Sequence, residues 1–344
     1  MDMVTGLAIA TIMVVILFDY TNGFHDASNI VATVIASRAM TPIQAVILVA
    51  IFEFLGPLLG GTAVANTIGK FIDLGGLASV SSLVIIMAGV VGAIVWNLGT
   101  WWLGIPSSSS HALVGGLVGP VVVSTGAGNV VWGFEDLVLH GHADGVTKVL
   151  LALILSPIIG FWVGFALHRV TGILLRGARP GINTYLRRGQ VATAALLAFS
   201  HGTNDAQKSM GIITLVLLTG GMITSFEVPF WAILACATAI TLGILSGGWR
   251  IVRTVGFGIY KVRPLHAFNA QVTAAGVIFG AALLGGPVST THVVSSSIMG
   301  IGASERPKAV RWAKAKEILS TWLITIPGAA VVGILTWLIA QILV

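Results

Sequence analysis

Residues 318–344 run without a single charged side chain, and residues 150–175 carry only Arg169. About 20 apolar residues suffice for an α-helix to cross the roughly 30 Å hydrocarbon core of a bilayer. Helices and closed barrels are the structures that satisfy their backbone there. A barrel would need short segments of alternating polarity, and the apolar runs here are continuous. Only 9% of the 344 residues are charged and 56% are hydrophobic, against about a quarter charged in soluble domains. The fold class is therefore an all-α integral membrane protein with about 10–12 membrane segments. The 43 glycines suit helices that approach closely in lipid. The lone Cys236 excludes an intramolecular disulfide. Asp2 with no basic region and no cleavage site after the first apolar run marks a retained span instead of a signal peptide.

A short polar stretch occurs twice within these apolar surroundings. Asn22-Gly23-Phe24-His25-Asp26-Ala27-Ser28-Asn29 returns as His201-Gly202-Thr203-Asn204-Asp205-Ala206-Gln207-Lys208, with Asp26 and Asp205 offset by 179. Pro106-Ser107-Ser108-Ser109-Ser110-His111 returns as Pro287-Val288-Ser289-Thr290-Thr291-His292, offset 181. Ser156-Pro157 corresponds loosely to Ile326-Pro327 at offset 170. The spans expected in the first half are 6–38, 41–65, 83–103, 112–123 and 149–170. Those expected in the second are 191–218, 229–245, 268–284, 293–301 and 318–344.

Matching loops carry opposite charge character. Residues 126–147 hold no Lys or Arg, whereas 304–316 hold Arg306, Lys308, Arg311, Lys314 and Lys316. Residues 66–82 hold only Lys70, whereas 247–266 hold Arg250, Arg253, Lys261 and Arg263. Lys and Arg concentrate on the cytoplasmic side, so equivalent loops are expected on opposite faces, the pattern of inverted-topology repeats in secondary transporters. The expected organisation is a first repeat over 1–176, a cytoplasmic basic linker over 177–190 and a second repeat over 191–344. Both termini are then outside, and all 18 Lys and Arg except Lys70, Lys148 and Lys208 fall at or near the cytoplasmic boundary. The net charge of +6 is accounted for by topology, which removes the case for a nucleic-acid partner. The partner of such a chain is the bilayer, and its tryptophans are expected as interfacial anchors.

Polar atoms inside a membrane are costly unless they bind something. Pro106 and Pro287 are expected in the first turn of new half-helices, where a missing N–H costs nothing. Helix N-termini attract anions, so Ser108, Ser109, Ser110, Ser289, Thr290 and Thr291 are candidate ligands of a tetrahedral oxyanion; helix capping is the alternative. Asp26 and Asp205 offer oxygen ligands to a cation or carry a proton, with Gly23 and Gly202 expected to unwind the chain beside them. Lys208, three residues from Asp205, either touches the anion or pairs with the carboxylate. His25, His111, His201 and His292 show no metal-ligand spacing and are expected as hydrogen-bonding partners. Glu53 is a third intramembrane carboxylate whose aligned position is Ala232.

At these residues the chain resembles the PiT family of inorganic phosphate permeases. NGFHDASN with VATVIASRAM, SHGTNDAQKSMGI, WNLGTWWLGIPSSSSHALVGG and GGPVSTTHVVSSSIMG are similar to that family's paired signatures. The likeness is greatest to the bacterial low-affinity, proton-coupled branch. It implies two repeats with broken or re-entrant half-helices in the plasma membrane, cation symport and alternating access. The implied substrate is phosphate, in that branch often as a neutral complex with a divalent metal, and no cofactor is implied. The substrate ligands would be the six hydroxyl residues with Asn29, Gln207 and Lys208. The coupling ion, H+ or Na+, would be handled by Asp26, Asp205, Asn22, Asn204 and Gln271. Gln271 stands where sodium-coupled relatives have Glu, which favours protons, and neither a large hydrophilic insertion nor a longer central linker is present. The alternatives are a sulfate permease of the same fold, a sodium-coupled phosphate symporter, a passive channel and an intramembrane Ser/His hydrolase. The last lacks a nucleophile elbow. No metal site is assigned from sequence, and a homo-oligomer is compatible with it.

Overall fold

A computed structural model describes residues 2–74, 76–247, 256 and 258–343. Its helices are α1 (Met3–Ala36), α2 (Pro42–Leu59), α3 (Ala63–Gly69), α4 (Ser79–Trp102), α5 (Ser109–Thr125), α6 (Phe134–His140) and α7 (Gly145–Leu174). The second half adds α8 (Ile182–Thr219), α9 (Phe230–Ser246), α10 (Pro264–Leu283), α11 (Thr290–Glu305) and α12 (Trp312–Leu343). Among the described residues, non-helical pairing is limited to an isolated bridge between Ile72 and Val130. Helices α1, α2, α4, α7 and most of α12 are long and apolar enough to cross a membrane. Helices α5 and α11, of 17 and 16 residues, reach about 25 Å at 1.5 Å per residue, short of a full crossing.

Local chemistry sets the helix starts. Thr41 and Gln44 close a reciprocal capping box around Pro42, Gln44 N donating to Thr41 Oγ1 at 3.4 Å and Thr41 N to Gln44 Oε1 at 3.1 Å. Ser108 caps α5 and Ser289 caps α11, each accepting the backbone N–H three residues on, from His111 at 3.2 Å and His292 at 3.3 Å. Pro106 and Pro287 therefore precede the caps. They end the incoming chain instead of occupying the first helical turn.

The packing uses the same contact twice with the halves exchanged. Helix α1 lies on α9 and α8 on α2, while α5 lies on α12 and α11 on α7. A Cβ added at Gly23 would sit 2.1 Å from the Ile240 carbonyl oxygen, and one at Gly202 2.3 Å from that of Glu53. Likewise Gly164 abuts the Ser297 carbonyl and Gly333 that of Gly116. Trp132 Nε1 donates to Ala127 O and Trp312 Nε1 to Pro307 O, both at 2.9 Å.

Several expectations need correction. Helices α1 and α8 run unbroken through Gly23 and Gly202; these glycines remove side chains where a neighbouring backbone crosses, and expose no carbonyls. The same contacts make Ile240, not Ala232, the spatial counterpart of Glu53. Helix α8 starts at Ile182, so most of the 177–190 linker is its first two turns. The stretch 41–65 is broken between α2 and the short α3. Residues 126–147 contain α6, bounded by Gly133 and Gly141 at φ +66° and +68°, a conformation that favours glycine. Arg250 and Arg253 lie outside the described residues.

Candidate functional site: two half-helices meeting at a carboxylate

The polar stretches of α1 and α8 are buried at mid-helix and face the N-termini of α5 and α11. Asp26 is the hub, at 1% exposure. Its Oδ2 accepts from Ser109 Oγ at 3.3 Å and Thr290 Oγ1 at 3.1 Å, one hydroxyl from each half-helix. Its Oδ1 accepts from His25 Nδ1 at 2.6 Å, Asn29 Nδ2 at 3.1 Å and Thr291 Oγ1 at 3.3 Å. Ser107 Oγ lies 3.3 Å from His25 Nε2 on the far side of the ring. An anion thus sits where two helix N-termini and their hydroxyls converge, the arrangement their partial positive charge favours.

Around Asp205 the pattern repeats with different chemistry. Lys208 Nζ donates to Asp205 Oδ1 at 2.7 Å, Ser110 Oγ at 2.5 Å and Val288 O at 3.0 Å. At the corresponding place in the first half, Asn29 Nδ2 donates to Asp26 and, at 2.7 Å, to Thr291 Oγ1. The two helices also reach across to each other. Asn22 Nδ2 donates to Asp205 Oδ2 at 3.1 Å, and its equivalent in the repeat, His201, points Nε2 at Asp26 Oδ2, 3.7 Å away. Asp205 is thus neutralised by a buried lysine, whereas an amide holds the same place at Asp26. Of the two sequence alternatives for Lys208, the structure shows the pairing with Asp205, and the same ammonium also holds Ser110.

Some candidates stand apart from this cluster. Gln207 accepts from the N–H groups of Val64 at 2.8 Å and Ala65 at 3.4 Å, tying down the start of α3. Gln271 accepts from Thr193 Oγ1 and donates to Thr33 Oγ1 at 3.0 Å, bridging α8 and α1 about two turns from Asp26. Asn204 donates to Gly286 O at 3.0 Å and accepts from Val288 N at 3.1 Å, fixing the strand-like entry to α11. Ser108 and Ser289 spend their oxygens as caps, and Ser109 with Thr290 face the hub.

Two participants were not singled out as site residues. Glu53 Oε1 accepts from His201 Nδ1 at 2.5 Å, both side chains at 0% exposure. Glu53's signal was present, a carboxylate in an apolar span, but its partner lies 148 positions away. Asp19, also fully buried, accepts from Ser209 Oγ at 2.9 Å, and its Oδ2 has no hydrogen-bond partner.

The sequence profile of the "Phosphate transporter family" matches residues 22–333. The chain belongs to the phosphate transporter family. Its members are transporters and not enzymes, which removes the hydrolase reading and makes the chain a multi-pass membrane protein. A relative from Bacillus subtilis (strain 168), named "Probable low-affinity inorganic phosphate transporter", is 44% identical over 100% of both chains. One of the same name from Rhizobium meliloti (strain 1021) is 41% identical over 98% of this chain and 97% of its own. A solved structure, "The sodium-dependent phosphate transporter", superposes with a TM-score of 0.87 at 21% identity, covering 98% of this chain and 100% of that one. That likeness establishes the fold.

Proposed function

We propose that this chain takes up inorganic phosphate across the plasma membrane by proton symport, alternating access between two inverted repeats. The observation that carries the reading is the convergence of Ser109 and Thr290, from two separate half-helices, on one oxygen of Asp26. A tetrahedral oxyanion presents the same acceptor to the same donors, and displaces Asp26 or joins it when the carboxylate is neutralised. The names of the relatives supply phosphate as that oxyanion.

Protons fit the balance of charge. A phosphate dianion entering beside ionised Asp26, Glu53 and Asp205 meets Lys208 and two helix N-termini as compensation. Protonation of Asp26, which unlike Asp205 has no lysine beside it, relieves the repulsion that burial would otherwise make expensive. Gln271 is neutral and hydrogen-bonded elsewhere, so it adds no anionic ligand for sodium. In proteoliposomes, labelled phosphate accumulates against its gradient when a proton gradient is imposed without sodium, and excess sulfate does not compete. Accumulation driven by sodium at fixed pH, and not by protons, would refute the coupling. No accumulation under either gradient would refute the transport reading.

The exchanged packing of the halves and the opposite charge of equivalent loops support inversion, with both termini outside. Single cysteines at Gly141 and Gly181, in a protein with Cys236 replaced, are expected to react with an impermeant maleimide from opposite faces. Reaction of both from outside would end the inverted-repeat reading.

A further inference from the structure

Helices α7 and α12 close the two halves, and each packs on a half-helix of the other half, α7 on α11 and α12 on α5. Between them runs a cavity of about 730 Å³, within the roughly 300–1,000 Å³ of small-molecule sites. Leu150, Ile154 and Ile158 of α7 line it opposite Leu319, Leu323 and Ile326 of α12. Ile158 and Leu323 also reach the outer surface, at 49% and 79% exposure, so the cavity is a slot open to the hydrocarbon of the bilayer. Its inner end is closed by His111 and His292, whose rings lie 4.5 Å apart in the first turns of α5 and α11. Apolar walls do not hold water, and an empty slot forfeits dispersion contacts along its whole length. In a membrane, the fluid at its mouth is acyl chain.

One end of the slot is basic. Trp162 of α7 and Trp312 of α12 both line it. From Trp162 the same face of α7 continues through Phe165, ring to ring at 5.8 Å, to Arg169, whose guanidinium lies 5.8 Å from the Phe165 ring. Lys316 is four residues after Trp312 and three before Leu319, on their face of α12. Arg169 and Lys316 are both exposed. Basic pockets between membrane helices on the cytoplasmic side collect anionic headgroups. We propose that an anionic phospholipid of the cytoplasmic leaflet lodges one acyl chain between α7 and α12, with its phosphate at Arg169 and Lys316. The chain backs onto His111, whose Nδ1 lies 2.8 Å from Ser108 Oγ, the cap of α5, so the lipid buttresses a half-helix start from the bilayer side. A second copy of the protein fits the slot less well, because across a two-fold axis two slots face each other and leave the space unfilled. The proposal rests on the inverted-repeat reading only in naming the basic end cytoplasmic.

The test uses the full chain in nanodiscs of mixed phosphatidylcholine and phosphatidylglycerol, released into a native mass spectrometer. One phosphatidylglycerol is expected to stay on each chain at an activation that strips the remaining lipid. Leu319→Trp and Ile158→Trp fill the slot and are expected to lose that lipid, whereas Leu335→Trp, exposed on α12 away from the slot, keeps it. Arg169→Gln with Lys316→Gln is expected to lower the preference for phosphatidylglycerol over phosphatidylcholine about fivefold per basic residue, and so roughly 30-fold together. Wild-type protein that retains no lipid overturns the proposal, as does full retention in both slot-filling variants. Should those variants not fold, the Arg169→Gln, Lys316→Gln protein decides, both side chains being at the surface, and an unchanged preference rejects the headgroup site. A lipid-free wild-type dimer that Leu319→Trp turns into monomers overturns it in favour of a second copy. Lipid retained in a chain whose Gly181 cysteine labels from outside keeps the lipid site and rejects the topology. Lipid absent from a chain whose Gly141 and Gly181 cysteines label from opposite faces does the reverse.

Discussion

Asp26→Asn is expected to abolish phosphate accumulation, lowering the initial rate of uptake in proteoliposomes by at least about 100-fold. Five donors aim at this carboxylate: His25, Asn29, Ser109, Thr290 and Thr291. An amide of the same shape accepts at one atom only, and its NH2 must face donors on the other side. Removing one partner of a buried charged network costs about 3–5 kcal/mol, and each 1.4 kcal/mol is tenfold in an equilibrium, so two to three orders of magnitude are expected. The variant also cannot take up a proton at this position, so accumulation fails even where phosphate-for-phosphate exchange survives. Ser109→Ala and Thr290→Ala each remove one neutral donor, at about 1 kcal/mol, and the double change is expected to weaken apparent phosphate affinity further without abolishing uptake. An Asp26→Asn protein that keeps more than about a tenth of the parental rate would remove Asp26 from the coupling step.

The contrast shows what a sequence can disclose about such a site. Repeat spacing paired Asp26 with Asp205, and a proline before each hydroxyl run put those runs at half-helix N-termini, because both facts are local or translational. The division of labour within each run was not legible. Ser108 caps while Ser109 faces Asp26, and that choice depends on where the backbone turns helical, a matter of one residue. Glu53 and His201 escaped as a pair because their meeting depends on the crossing of α2 over α8, which only packing decides. The broken symmetry was partly visible. Asn22 and Asn29 stand where the second half has His201 and Lys208, a substitution of amides by ionisable groups that alters the charge at each carboxylate. Its meaning emerges once Lys208 is seen on Asp205 and His201 is seen turned toward both.

Gly23 and Gly202 offer the sharpest test of how the two helices work. Gly202→Ala is expected to destabilise the protein by about 3 kcal/mol or to prevent folding, and Gly23→Ala to do nearly the same. Their new methyl groups would lie 2.3 Å and 2.1 Å from the backbone oxygens of Glu53 and Ile240, which cannot rotate away. Overpacking of this kind typically costs about 1–3 kcal/mol, more where backbone must move. Parting α8 from α2 would also draw Glu53 off His201, so uptake falls with stability. Gly172 and Gly276, helical and with nothing within 4 Å of an added Cβ, serve as controls. Alanine there gains up to about 1 kcal/mol of helix propensity in water. Thermal melts followed by size-exclusion in detergent read the difference. The sign of the change separates two physical roles for the same residue. Were these glycines hinges where α1 and α8 unwind, alanine would rigidify the helix and raise its melting temperature. Where they are points of backbone contact, alanine lowers it, and a Gly202→Ala protein that melts with or above the parent would return the hinge to consideration.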